Sequence, residues 1–439
     1  MVLEYGGPDY FDEDRTNPFR YAMVLCCCLR YGDAIAHLWQ CNKVVPAVHL
    51  TCTALHYGLV LPHVPLDMNP SHPMVMGGRF VNGSAYATTQ DPTPTSILQF
   101  FTATPTMQSY PEVVTDYLVS LDSNWLTHAQ GLDAELKETL KLKSQAVVSG
   151  VLENFISSLS REQLCEVVGE PSDGRMDGPA AVARGVARTM GRLDDYLNTT
   201  QVELLLARSA YNMLTQRKEA EAAVYLYLLA GRYSEVVEEI CTQLAAVLVT
   251  PTDARASQAA EVARMQWHTL AENFVDRYLQ GQSLVLHTLT QTGGRALVDS
   301  LLLLTNLFVY VDAVRSGEVS SIEALRKLDQ LQLLPASVQQ LDLYVSFSHF
   351  LESTMDDLLV MTMECTLRAY QEAQLQRSHQ TSTTSGAGNF SGLNTEWDLQ
   401  MEALKQRATA LASFAQKIKH RLTRHDTVSM LARMEASIV

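Results

Sequence analysis

The stretch Ala220–Leu248, AEAAVYLYLLAGRYSEVVEEICTQLAAVL, decides the fold class of this chain of 439 residues. Two helical patterns meet at Ala230, Gly231 and Arg232. In the first, Ala220, Ala223, Val224, Tyr227 and Leu228 share a face; in the second, Val236, Val237, Ile240 and Leu244 do. Gly231 stands where the first helix must stop, because glycine enters the left-handed C-cap conformation without strain. The alanines let a neighbouring helix approach closely. The pattern is a helical hairpin of the kind that stacks into a solenoid, and a solenoid is a surface for other proteins. It contains no catalytic group.

Composition agrees. Apolar residues are 47%, enough for an extensive core, and strand-like alternation is scarce. The formal net charge of −15 argues against nucleic acid as the main partner, since phosphate needs a basic surface. Cys26, Cys27 and Cys28 are adjacent and the rest of the eight cysteines are scattered without a CxxC pair, which fits reduced thiols in the cytosol or nucleus. No charged segment followed by an apolar one opens the chain, so secretion is not expected. Leu297–Val314, LVDSLLLLTNLFVYVDAV, is apolar, but Asp299, Asn306 and Asp312 interrupt it, whereas a membrane span wants roughly 20 apolar residues. It reads as a buried central helix, apolar nearly all round.

Working outward, Asn17 and Pro18 open a first helix as N-cap and first helical residue, running to about Arg30. Gly32-Asp33 predicts a tight break, Ala34–Cys41 a return helix, and Pro46 the start of a third helix through Val60. Residues 1–61 are thus the first helices of a solenoid. Eight of the 15 prolines lie between Pro62 and Pro111, so 62–110 is an irregular insertion in which only Ser96–Thr102 looks helical. Helical pattern resumes over 111–375 as the solenoid trunk, with breaks at Gly169–Gly178 and Thr250–Asp253. Its later helices are expected at Ala254–Leu279, Arg295–Arg315, Ile322–Leu334 and about Ala336–Gln376. Residues 376–397, rich in Ser, Thr, Gly and Gln, read as a disordered linker. A C-terminal helix or helix pair over 398–439 presents a seam of Leu404, Ala408, Leu411, Ala415, Ile418 and Leu422 that needs a partner surface.

Candidate chemistry is sparse. His49, Cys52 and His56 share a helical face with the residue types of a zinc site, and Cys41 is a conceivable fourth ligand; a packed face with hydrogen-bonded histidines is the preferred reading. Gly386-Ala387-Gly388 lacks the strand and helix a dinucleotide loop needs and reads as linker. Thr381–Ser385 carries acceptors for phosphorylation on composition alone. Over Met401–Val439 seven Lys or Arg stand against three Asp or Glu, a surface that either docks an acidic partner or complements helix dipoles in solvent. No nucleophile, general acid/base pair, metal cluster or cofactor loop emerges, so the expectation is no enzyme, no cofactor and no metal.

FDEDRTNPFRYAMVL (Phe11–Leu25), DAIAHLW (Asp33–Trp39) and PAVHLTCTALHYGLV (Pro46–Val60) form a set in order with EAAVYLYLLAGRYSEVVEEI, VDAVRSGEVSSIEALRKLDQLQLLP and the ending VSMLARMEASIV. This set resembles the nucleoporin interacting component family, the inner-ring scaffold nucleoporin of the ninety-three/ninety-six class, across most of the chain. Asn17, Pro18, Phe19 and Tyr21, with Ala47, Val48, His49 and Leu50, carry it most specifically, and together with Gly231 they look like cap and packing residues. The resemblance implies a J-shaped α-helical solenoid in the nuclear pore complex at the nuclear envelope. It implies as partners other inner-ring nucleoporins, including large solenoid nucleoporins and a membrane-proximal nucleoporin that supplies a linear motif. The family's N-terminal coiled-coil region has no counterpart in this sequence, so the chain is expected to begin within the solenoid, and recruitment of the channel complex is not carried over.

The expectation is therefore an all-α protein, an irregular elongated α-helical solenoid of stacked antiparallel helix pairs. It would act as a structural scaffold of the pore's inner ring, with no direct nucleic acid partner and no transmembrane span. The competing reading is a helical-repeat scaffold subunit of another large assembly, of vesicle-coat or proteasome-lid type. The absence of FG dipeptide repeats favours scaffold over permeability barrier.

Overall fold

The computed structural model describes residues 10–11, 16–60, 93–104, 107, 109–119, 134–171, 188–249, 257–280, 283–342, 344, 348–383 and 391–438. Among them there is no strand, only an isolated antiparallel bridge between Pro171 and Arg188. Helices gather into two compact units, one of Met1–Ser172 and Val186–Gly231, the other of Asp173–Gly185 and Arg232–Val439.

The first unit begins with α1 (Pro18–Cys27), α2 (Tyr31–Gln40) and α3 (Val44–His56). All three end alike. A left-handed residue follows each helix: Leu29 (φ 61°), Asn42 (φ 58°) and Gly58 (φ 66°). The next amide then reaches back to close the end, Arg30 to the Leu25 carbonyl at 2.9 Å, Lys43 to Leu38 at 2.9 Å and Leu59 to Ala54 at 2.7 Å. This Schellman closure satisfies carbonyls that a bare helix end leaves open. The first break therefore lies at residues 28–30, before the expected Gly32-Asp33, and Gly32 sits inside α2. Backbone hydrogen bonding, not a glycine, makes that turn.

The unit continues through α4 (Pro94–Thr102), α5 (Pro111–Val119), α6 (Ala134–Ile156), α7 (Arg161–Val168), a 3-10 turn (Arg192–Asp195), α8 (Thr199–Asn212), a π turn (Met213–Arg217) and α9 (Ala220–Leu229). Capping boxes start three of these helices: Thr93 with Ser96 for α4, Ser160 with Gln163 for α7 and Asn198 with Gln201 for α8. After α7, Gly169 adopts φ +100°, and a Cβ there would lie 2.1 Å from the Thr189 carbonyl oxygen, so only glycine fits. Packing follows sequence order: α1 on α2, α2 on α3, α3 on α4, α4 and α5 on α6, α6 on α8, α8 on α9.

The second unit holds α10 (Tyr233–Leu248), α11 (Ser257–Phe274) with a π turn (Val275–Leu279), α12 (Leu284–Gln291), α13 (Arg295–Ser316) and α14 (Ser321–Gln330). Two 3-10 turns (Val338–Gln340, His349–Leu351) precede α15 (Met355–Thr383), α16 (Ser391–Lys417), a 3-10 turn (Lys419–Arg421) and α17 (Thr427–Glu435). By length and composition α13 is able to cross a membrane. Here it packs against α10, α11, α12 and α14, and buries Leu301, Leu304, Leu307, Phe308, Tyr310 and Val311. Gly317, left-handed at φ 65°, ends it where the sequence predicts.

Several expectations shift. Gly231 is left-handed at φ 67°, as expected, between α9 and α10. α9 packs on α8 and its π turn, α10 packs on α11 and α13, and the unit boundary falls at Gly231–Arg232. Within α9 the buried Ala223, Val224, Leu226, Tyr227 and Leu229 wrap round the helix instead of forming the single stripe expected. The helix expected through Leu334 stops at Gln330, closed by Gln332 in the left-handed region (φ 50°). The helix expected from Ala336 begins at Met355, after the two 3-10 turns. α15 runs to Thr383 and α16 starts at Ser391, so the expected linker is helical on both sides; Gly386-Ala387-Gly388 lies outside the described residues, as do 61–92 of the expected insertion, 172–187 and 250–256.

Candidate functional site

The residues singled out near the N-terminus divide between a core and a surface. Asn17 occupies the N-cap of α1 without a side-chain capping bond, and Pro18 is buried at its first turn. Tyr21 is 4% exposed and forms a cluster with Ala22, Leu25, Ala34, Leu38 and Ala47, against which Phe11, Trp39 and Leu50 pack. Its ring stacks on Phe11 at 5.9 Å and takes the edge of His37 at 4.9 Å. Val48 is fully buried, whereas Phe19 is exposed on the far side of α1. Gly231 lies well away in sequence, at the end of α9.

The zinc candidates do not converge. A ring nitrogen of exposed His49 lies 2.9 Å from the Tyr117 hydroxyl, and the two rings meet edge-on. Cys52 is buried, and burial pushes its thiol up to about 12, which disfavours the thiolate a metal requires. His56 packs edge-on to Tyr57, and Cys41 sits 3.8 Å from His37 at the end of α2. Among the described residues no three His, Cys, Asp or Glu side chains gather as metal ligands.

Charge does gather in the second unit, and the sequence reading missed how. Arg264 of α11 is 1% exposed, with its guanidinium 3.9 Å from the Phe308 ring centre and its nitrogens donating to Glu261 and Asp312. His268, one turn on, stacks on the same ring at 4.0 Å. An arginine spaced to meet a phenylalanine two helices later leaves no local signal in the sequence.

The basic C-terminal segment finds its acidic partner inside its own unit. Arg407 donates to Asp329 at 2.6 Å, Lys417 to Asp342, Arg421 to Glu352 at 2.7 Å and Arg424 to Asp357 at 2.5 Å. The apolar seam seen in the sequence is the inner face of this contact: Ala408, Leu411, Ala415 and Ile418 are fully buried, and α16 packs on α15 and α17. At the centre stands Asp356, in the first turn of α15 and 1% exposed. One of its oxygens accepts from the Thr423 amide and hydroxyl, both at 2.7 Å, and the other from the Thr427 hydroxyl at 2.6 Å. Burial alone would raise its pKa, but these hydrogen bonds outweigh burial and hold the carboxyl below the usual range.

The approach of the Cys41 thiol to the His37 ring is long, at 3.8 Å, and exposed at the end of a helix. The arrangement instead offers packed helices whose charges are spent on each other. The model of the family described as Nup93/Nic96 matches residues 1–429. No curated protein sequence matches the chain. Among solved structures, the crystal structure of Nic96 SOL from Chaetomium thermophilum matches with a TM-score of 0.55 at 19% identity, over 94% of this chain. The present chain spans 55% of the length of that structure, and at this identity the likeness establishes a shared helical fold. With its family model running from the first residue to within ten of the last, the chain belongs to the Nup93/Nic96 family of nuclear pore proteins.

Proposed function

We propose that this chain is a structural scaffold of the nuclear pore complex inner ring, holding other nucleoporins in place through protein–protein contacts and so supporting pore assembly and nucleocytoplasmic transport. The observation that carries the reading is the family match over residues 1–429. The all-α architecture is consistent with it, because stacked helices present long surfaces built from their outward faces. The work proposed is mechanical and needs no catalysis, cofactor or metal.

The partners we propose are other inner-ring nucleoporins, among them large solenoid nucleoporins, and a membrane-proximal nucleoporin that lays a linear motif into a groove between helices. Endogenous tagging tests this. A punctate nuclear rim, with inner-ring nucleoporins recovered on purification, is the expected result. Diffuse cytosolic signal with coat or proteasome subunits would overturn it.

A further inference from the structure

The last helix of the described chain is held by a carboxylate that is not its own. α17 spans only Thr427–Glu435, and Asp426 at its N-cap makes no side-chain capping bond. Asp356 of α15 instead binds the loop that leads into the helix and the side chain of its first residue. It collects the Thr423 amide and hydroxyl, the Arg424 amide at 3.4 Å and the Thr427 hydroxyl. Two ion pairs flank it, Arg421 with Glu352 and Arg424 with Asp357. All of these groups belong to the second unit.

The two threonines differ in one respect. Thr427 is 1% exposed, whereas Thr423 is exposed. Thr423 lies in the non-helical segment 422–426, entered through Leu422 in extended backbone (φ −79°, ψ 141°). The segment is preceded by Lys419, His420 and Arg421, with both Lys419 and His420 exposed. Thr423 is an exposed residue of a non-helical segment, its hydroxyl held by Asp356, and a threonine behind a run of cations is the substrate pattern that an acidic kinase groove recognises.

The geometry points to Thr423 as a phosphorylation site, for a protein kinase selective for basic sequences, whose phosphate releases α17 from α15. Thr423 Oγ1 attacks the γ-phosphorus of Mg-ATP. The new Oγ1–P bond forms as the bond from that phosphorus to the β,γ-bridging oxygen breaks, ADP leaves with the electron pair, and the hydroxyl proton passes to the kinase's carboxylate base. Two things then change at Asp356. It loses the hydroxyl donor at 2.7 Å. It also faces a group carrying about −1.5 to −2 charges at pH 7, beside Glu352 and Asp357, which are already negative. Arg421 and Arg424 stand next to the phosphate in sequence and are drawn to it and away from their present carboxylates. A phosphate near a helix N-terminus is favourable in isolation. Here the loop leading into that end is already bound to a buried carboxylate, so the new charge competes with it. Release uncovers the surface now closed over Leu431 and Ile438, so the chain offers partners a different face in each state.

The test uses the whole chain, cyclic-AMP-dependent protein kinase as the basic-selective probe, and Mg-ATP. Mass spectrometry locates the phosphate and hydrogen exchange follows the amides of residues 428–438. We expect phosphate on Thr423 and at least roughly tenfold faster exchange in α17, with other helices unchanged. Thr423→Val removes the hydroxyl without adding charge and should accelerate exchange only about threefold to tenfold, the loss of one hydrogen bond. In Asp356→Asn, phosphorylation of Thr423 should add little further acceleration, because the opposing charge is gone. Phosphate that never appears on Thr423, or that appears there while α17 keeps its protection, overturns the proposal. So does an undiminished effect of phosphate in Asp356→Asn.

Discussion

The Tyr21 cluster of the first unit and the Asp356 latch of the second both fasten short helices, by opposite means. Around Tyr21 the partners are alanines, leucines and aromatic rings, with α1, α2 and α3 at three-residue turns. Around Asp356 the partners are hydroxyls, amides and two flanking ion pairs, bringing the chain's end back over roughly seventy residues. Apolar packing is indifferent to pH and to modification and cannot be switched without unfolding the region. A buried charge satisfied by donors from an exposed segment is responsive, since one added or removed charge alters all of its hydrogen bonds. A scaffold gains from both: a fixed region that sets geometry, and an edge whose docking can be adjusted.

That contrast breaks first, and hardest, at Tyr21. Tyr21→Ala empties a site that is 4% exposed and contacts two rings, so a loss of about 3–5 kcal/mol is expected. Denaturant unfolding should show it in the first unit, with α17 exchange unchanged; a matching loss of α17 protection would mean that the two regions are not independent. Ala47→Leu attacks the same cluster by overfilling. Ala47 is fully buried where α3 meets α2, and a leucine should cost about 1–3 kcal/mol. If Ala47→Leu proves neutral, the helices have room to separate and the region is less fixed than its packing indicates.

The same contrast explains what the sequence could announce. The helix start at Pro18 and the ends at Gly231 and Gly317 were legible, because proline and glycine mark them chemically. The ends at Leu29 and Gln332 were not. Their left-handed residues carry a strain of roughly 1–2 kcal/mol outside glycine, offset by backbone hydrogen bonds that leave no residue signature. The seam from Leu404 to Ile418 was legible as a face needing cover, since periodicity is local. Its cover was not, because Asp329, Asp342, Glu352 and Asp357 stand 67 to 78 positions upstream of the cations they meet. Asp356 carries no local mark that sets it apart from other acids in the sequence. Nothing in the order of residues says that a threonine loop will close over it.

Smaller effects belong to the latch. Asp356→Asn keeps the shape but replaces a charged acceptor with one that carries a donor. Hydrogen bonds to charged groups are worth more than neutral ones, so about 1–2 kcal/mol of α17 docking should go. Hydrogen exchange confined to residues 427–438 checks it, and a change spread over the whole second unit would show that the latch is part of the core.

Acid should reproduce this in the unmodified chain. The folded Asp356 carboxyl sits below its ordinary value of 3.8, so its contribution is fully present above that value and fades as pH falls through the lower folded one. From pH 7 to about 4, α17 docking should therefore hold. Below that it should loosen before the Tyr21 cluster responds, and Asp356→Asn should abolish most of the step. Loosening already near pH 6 would mean that a group other than Asp356 holds the control. Salt is the weakest lever. The exposed pairs Arg421–Glu352 and Arg424–Asp357 are screened at 1 M salt, where the Debye length is about 3 Å, yet pairs of this kind contribute only about 0–1 kcal/mol. The hydrogen bonds to Asp356, shielded from solvent, should survive. Complete release of α17 by salt alone would mean that the rim of ion pairs, and not the buried carboxylate, holds the chain's end, and the distinction between a fixed and a switchable region would have to be redrawn around Arg421 and Arg424.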